Sequence, residues 1–180
     1  MKHITFVAVA MAATSIATFT FAAGSDSTEP PVKTETTQVC KDGQVWDKKT
    51  KACLTVEGGL MTDDDIYTAA RELAYDGQYD NALKVLDVAE NQNDPRILNY
   101  KGFANRKAGR VETGMVFYQA ALKIDPDYIL ARSYMGQALI ADGDTVGAKA
   151  QLVEIVARGG QDTWAYASLQ KALNGEATDW

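Results

Sequence analysis

The chain carries three related six-residue phrases: GQYDNA at residues 77–82, GRVETG at 109–114 and GDTVGA at 143–148. Their first glycines, Gly77, Gly109 and Gly143, are 32 and 34 residues apart, and a small residue follows each of them five positions later. A fixed step in this range is typical of a stacked array, in which no unit can bury its apolar face alone. The phrases therefore predict three helical hairpins that turn at these glycines. Such arrays usually bind other molecules rather than catalyse.

The residues around these phrases have helical periodicity from Thr62 onward. Thr62 is a candidate N-cap, and the acidic run Asp63-Asp64-Asp65 suits the positive end of a helix dipole better than a calcium or catalytic site. A seventh helix is predicted over about 162–173, with Tyr166, Leu169 and Leu173 on one face to cover Ile155 of the third hairpin. The predicted array spans residues 62–174, and 175–180 form a tail.

The middle hairpin resembles the tetratricopeptide repeat. The residues on its spacing are Gly102, Gly109, Gly114, Tyr118, Ala121 and Pro126. The resemblance implies an all-α array of three helical hairpins with a capping helix. Small residues would let the paired helices approach (Ala70, Gly102, Gly136, Ala82, Gly114 and Ala148), while Leu86, Tyr118 and Leu152 would fill the space between hairpins. The chain also resembles small exported alphaproteobacterial repeat proteins with an N-terminal cysteine hairpin.

In proteins of this kind, the first helix of each pair lines a concave groove. The resemblance implies nine groove residues here: Tyr67, Arg71, Tyr75, Asn99, Phe103, Arg106, Lys107, Ser133 and Gln137. Tyr67 and Arg71 occupy the positions of the Lys and Asn that form the carboxylate clamp of chaperone-binding relatives, so a chaperone-tail receptor is not supported. Arg71, Arg106 and Lys107 form a basic cluster that either attracts a carboxylate-bearing peptide or is a solvated helix face.

Two cysteines, Cys40 and Cys53, flank a short segment with Val45 and Trp46 in a strand pattern and a turn at 47–50. In an exported chain they are expected to form one disulfide, giving a hairpin over residues 39–54. The segment weakly resembles the cysteine hairpins of chitin-binding modules. Trp46 either stacks on a glycan or partner, or covers the disulfide or docks on the first helix, and the second interpretation is favoured.

The N-terminus predicts export. Residues 1–24 have a basic start, an apolar stretch and a small-residue exit, which is typical of a signal peptide, and cleavage after Ala22 or after Gly24 fits equally. A retained membrane anchor is the alternative. Residues 25–38 are rich in Ser, Thr, Glu and Pro and are expected to be a disordered linker.

Charge and composition exclude several classes of function. The whole chain has a net charge of −6, and removal of residues 1–24 leaves 17 basic and 24 acidic residues. This balance disfavours nucleic acid and anionic membranes as partners. Removal of residues 1–24 also takes away His3, the one histidine of the chain. No enzyme, metal site or cofactor is therefore expected.

The sequence thus predicts a periplasmic or secreted protein-interaction module that binds a partner segment in the groove and is not embedded in a membrane. The alternative is a glycan-associated protein of the cell envelope that binds through the Cys40–Cys53 hairpin. Nothing in the sequence identifies the partner.

Overall fold

A computed structural model describes residues 40, 43–47, 49–56 and 61–178. In this part of the chain an antiparallel pair of strands precedes seven helices: β1 Gln44–Asp47, β2 Ala52–Thr55, α1 Asp63–Tyr75, α2 Tyr79–Leu86, α3 Pro95–Lys107, α4 Val111–Ile124, α5 Ile129–Ala141, α6 Thr145–Ala157 and α7 Trp164–Leu173. The predicted all-α array of three hairpins and a further helix is confirmed. The predicted signal peptide and linker lie outside the described residues.

The three hairpins turn in the same way. Gly77, Gly109 and Gly143 have φ values of +86°, +84° and +84°, a left-handed conformation that glycine adopts without steric cost. The amide after each glycine donates to a carbonyl in the last turn of the preceding helix; for example, the Gln78 amide lies 2.9 Å from the Leu73 oxygen. The glycines of the repeated phrases therefore end the first helix of each hairpin, as predicted.

The acidic run before α1 has a structural role. The Thr62 hydroxyl accepts a hydrogen bond from the Asp65 amide at 3.2 Å, and the Asp65 carboxylate accepts one from the Thr62 amide. The Asp63 carboxylate accepts hydrogen bonds from the amides of Glu90 and Asn91, at 2.8 and 2.9 Å. The run therefore caps α1 and ties its start to the loop that follows α2.

Glycines also allow close packing within the array. A Cβ on Gly114 would lie 2.8 Å from the Gly102 carbonyl oxygen, so α3 and α4 approach closely, and the fully buried ring of Tyr118 packs over Gly102. Gly136 differs from the prediction. A Cβ there would lie 2.7 Å from the Leu169 side chain, so Gly136 makes room for α7.

The third hairpin is covered by a single helix. Helix α7 packs against α5 and α6, and Leu169 and Ile155 are fully buried. Of the three predicted contact residues, Tyr166 and Leu173 are only half-buried. Leu152 is half-buried too, in contrast to Leu86 and Tyr118, because one helix rather than a full hairpin follows it.

The β-hairpin is attached to the first repeat. Cys40 and Cys53 form the predicted disulfide, and Val45 is buried in the same core cluster as α1 and α2. The Gly43 amide donates to the Asn81 side-chain oxygen at 2.6 Å, and the Asn81 side-chain amide donates to the Gln44 carbonyl at 3.3 Å. Asn81 is itself buried, so these bonds fix the hairpin on α2.

Candidate functional site

The first helices of the three hairpins lie side by side, with α3 between α1 and α5. The nine predicted groove residues lie on these helices, and we call this set the inner face: Tyr67, Arg71, Tyr75, Asn99, Phe103, Arg106, Lys107, Ser133 and Gln137. The structure brings several of them into contact with one another, but it does not leave all nine accessible.

A continuous cluster of aromatic rings underlies the inner face. Ring centroids are 5.4 Å apart for Tyr67 and Tyr100, and 5.1 Å apart for Tyr75 and Phe103. The cluster continues from Phe103 to Tyr134 at 4.9 Å and from Tyr134 to Trp164 of α7 at 6.4 Å. The contacts therefore link α1, α3, α5 and α7 through one packed set of rings.

Tyr100, Tyr134 and Trp164 were not among the predicted site residues. Tyr100 and Tyr134 are fully buried, each one position after a predicted groove residue. They are 34 residues apart, the same step that separates Gly109 from Gly143. That shared step is the signal in the sequence that identifies them as equivalent positions of two repeats.

Helix α7 closes the inner face over α5. The Ser133 hydroxyl donates to the Ala165 carbonyl at 2.6 Å, and the Gln137 side-chain amide donates to the Ser168 hydroxyl at 3.1 Å. Ser133 and Gln137 are 0% and 5% exposed. In this structure they bind α7 and do not line an open groove, because α7 packs on α5 much as the first helix of a further repeat would.

Three more predicted groove residues are also buried. Asn99 and Phe103 are 0% and 1% exposed and Tyr67 is 8% exposed, because the aromatic cluster packs around them. The Asn99 side-chain amide lies 3.5 Å from the Tyr128 hydroxyl. The accessible part of the inner face is therefore formed by Arg71 and Tyr75 on α1 and by Arg106 and Lys107 on α3.

The two arginines of the inner face lie on neutral groups. Arg71 Nε donates to the Tyr100 hydroxyl at 3.0 Å, and its guanidinium carbon lies 6.0 Å from the centroid of the Tyr75 ring. Arg106 lies over Phe103 at 5.5 Å and donates to the Tyr118 hydroxyl at 3.3 Å. These ring and hydroxyl contacts hold both guanidiniums in place.

Arg106 and Lys107 differ from the ion-paired arginines of the array. Arg96 pairs with Asp64 and Asp94 at 2.7 Å, and Arg110 pairs with Asp80 at 2.8 Å. Across residues 61–178, by contrast, no carboxylate forms an ion pair with Arg106 or Lys107. Burial lowers the pKa of Lys107, and the neighbouring charge of Arg106 lowers it further. An anion placed between these two side chains would relieve that repulsion.

Comparison with known proteins agrees with this architecture. Residues 105–173, from the end of α3 to the end of α7, match the model of the tetratricopeptide repeat. This match supports a tetratricopeptide-repeat protein. No significant match was found among curated proteins or among solved structures. The likeness to exported proteins with a cysteine hairpin therefore stays a prediction.

Tetratricopeptide repeats generally mediate protein–protein interaction and are typically non-catalytic scaffolds. The matched region includes α7, so the helix that covers Ser133 and Gln137 lies within the repeat region of the chain. None of the helices among the described residues has the length and hydropathy needed to cross a bilayer.

Trp46 lies away from the inner face. It stands opposite Cys53 in the β-hairpin, is half-buried, and lines a cleft together with residues of α1. The favoured interpretation, in which the ring covers the disulfide or docks on the first helix, stays a prediction.

Proposed function

We propose that this protein is an exported interaction module whose inner face binds an acidic segment of a partner protein. The observation that carries the proposal is the pair of adjacent cations, Arg106 and Lys107, which has no ion-pair partner in the described part of a chain with a net charge of −6. A half-buried cation without a counter-charge is costly to fold, and a carboxylate on a partner removes that cost.

The contact surface in this proposal is smaller than the sequence predicts. It comprises Arg71, Tyr75, Arg106 and Lys107, because the other members of the inner face are buried. Tyrosine and arginine are enriched among residues that dominate binding energy, and rings beneath a guanidinium limit the side-chain entropy lost on binding. The acidic segment would cross α1 and α3 with its carboxylates directed at these cations.

Export rests on two features. The signal-peptide pattern of residues 1–24 predicts it, and the Cys40–Cys53 disulfide is of the kind that persists in oxidising compartments.

The test uses a double variant of the inner face, Arg71→Gln with Lys107→Gln. Labelled peptides rich in Glu, and matched peptides with Gln in place of Glu, are titrated against the protein and followed by fluorescence anisotropy. We expect the acidic peptides to bind, the Gln peptides to bind at least tenfold more weakly, and the variant to lose about tenfold or more in affinity, since a hydrogen bond to a charged group is worth about 1.5–3 kcal/mol. Binding should weaken with added salt.

Arg110→Gln is the matched control. Arg110 is an exposed cation of the same repeat that pairs with Asp80 outside the inner face, so its loss should leave peptide affinity unchanged. Equal losses in both variants, or an affinity for acidic peptides that does not respond to the double change, would contradict the proposal.

A further inference from the structure

A cleft of about 190 Å³ lies between the β-hairpin and α1. Val45 and Trp46 line it from the hairpin, Met61 from the residues before α1, and Asp65, Thr68, Ala69, Glu72 and Leu73 from α1 and its first turn. An engineered protein cavity of about 150 Å³ is large enough to bind benzene. The cleft therefore has room for a group the size of an amino-acid side chain.

The walls of the cleft are held in place independently of any ligand. Val45 and Leu73 are buried in the protein core, and the disulfide closes the base of the hairpin. The hydrogen bonds between Asn81 and the backbone of Gly43 and Gln44 fix the hairpin to α2. Binding in the cleft would therefore lose little conformational entropy from its walls, which favours binding of a small group.

The α1 wall combines apolar and acidic groups. Thr68 and Ala69 follow Asp65 by three and four residues, and Glu72 follows them by four and three, so the four side chains share one helix face. Ala69 and Leu73 supply apolar surface, while the two carboxylates stand about 10 Å apart along the helix axis. Hydrogen bonds from the Thr62 hydroxyl and amide lower the pKa of Asp65, and Lys49 on the exposed turn adds a weaker effect of the same sign. Asp65 is therefore ionised at neutral pH.

Among the described residues that line the cleft, two are acidic, one is a tryptophan and none is basic. Tryptophan is the aromatic side chain that attracts cations most strongly, and carboxylates add a direct charge attraction. Val45, Ala69 and Leu73 provide a surface on which an aliphatic chain can lie. We propose that this cleft binds the cationic side chain of a lysine in a partner polypeptide, with the aliphatic stem against Trp46 and Ala69 and the ammonium group near Asp65 or Glu72.

This site goes beyond the proposed function. The inner-face residues Tyr67, Arg71 and Tyr75 follow one stripe of α1, whereas Asp65, Thr68 and Glu72 follow another, so one helix serves two surfaces of opposite charge. The inner face attracts carboxylates and the cleft attracts an ammonium group. Each can be tested without the other.

The experiment is an NMR titration of ¹⁵N-labelled protein, purified after export with its disulfide formed. The probe is Nα-acetyl-lysine methylamide, and the matched neutral probe is the norleucine compound, which keeps an aliphatic chain but lacks the ammonium group. We expect saturable shifts of the Trp46 indole N–H and of α1 amides with the lysine probe, in the millimolar range expected for so small a ligand. The norleucine probe should bind at least tenfold more weakly.

Two variants and one control sharpen the test. Glu72→Gln should weaken the lysine probe several-fold, whereas Glu112→Gln, an exposed acid on α4, should leave it unchanged. Thr68→Lys places an ammonium group at the cleft from an exposed position and should abolish binding by occupying it. Glu72→Gln should not change the affinity of the inner face for acidic peptides, so failure here is distinguishable from failure of the proposed function.

Three results would overturn the proposal. Equal binding of the norleucine probe would identify an apolar cleft without selectivity for cations. Shifts of the same resonances with N-acetylglucosamine trimer, but not with the lysine probe, would assign the site to a glycan. Absence of shifts with all probes at tens of millimolar would show that the cleft is a packing gap.

Discussion

Ending the chain at Gly160, which removes α7, is expected to lower Tm by about 15 °C or more and to cause self-association. Removal of α7 loses the burial of Leu169, which is worth about 1.5–3 kcal/mol. It also leaves Ser133 and Gln137 without their hydrogen-bond partners on α7, at a cost of about 1–3 kcal/mol each. The sum is a large share of the 5–15 kcal/mol by which a domain is normally stable. Each kcal/mol corresponds to roughly 4 °C for an array of this size.

The measurement is thermal unfolding by circular dichroism, together with sedimentation velocity. A chain ending at Gly175 keeps α7 intact and is the control, and Leu169→Ala is a milder version that should cost about 2–5 kcal/mol. If the chain ending at Gly160 stays monomeric and melts with the parent protein, α7 does not cap the array.

The second large effect is expected for Gly114→Ala. The new Cβ would lie 2.8 Å from the Gly102 carbonyl oxygen and 3.1 Å from the Arg106 backbone nitrogen. Both atoms belong to the backbone of α3, so α3 and α4 have to separate. We expect a loss of about 2–4 kcal/mol in the free energy of unfolding, even though alanine favours a helix over glycine by about 1 kcal/mol.

Gly147→Ala is the matched control in the next hairpin. The three atoms nearest a Cβ there all belong to the Asp144 carboxylate, the end of a flexible side chain. The free energy of unfolding should therefore stay within about 1 kcal/mol of the parent, because the gain in helix propensity offsets a weakened N-cap. Urea unfolding of both variants checks the comparison. A Gly114→Ala protein as stable as the parent would show that the two helices do not need this close approach.

The fold could be predicted because its determinants are local and repeated. Each hairpin turn needs a glycine with positive φ, and the same glycine recurs in three similar phrases. Thr62 and the acidic residues after it mark the start of α1 through contacts within one helical turn. Features of this kind depend on neighbours in the sequence, which a single chain displays directly.

The candidate site was predicted only in part, because its accessibility depends on distant segments. Ser133 and Gln137 are polar residues on a helix face, and the sequence does not distinguish a groove residue from one that hydrogen-bonds to α7, 31 or 32 residues later. Asn81 was missed for the same reason, since its partners at Gly43 and Gln44 are 38 and 37 positions away. Arg71, Arg106 and Lys107, whose long side chains reach past the rings, remain at the surface.

Elements outside the three repeats contact both ends of the array: the β-hairpin packs on the first repeat, and α7 packs on the last. The middle hairpin is thus the one repeat with a repeat neighbour on each side in the described part of the chain. This arrangement constrains how such a protein can lengthen by duplication. A second copy of residues 95–128 inserted after Tyr128 would pack on repeat surfaces on both sides, whereas a copy added after α7 would pack on a single helix instead of a hairpin.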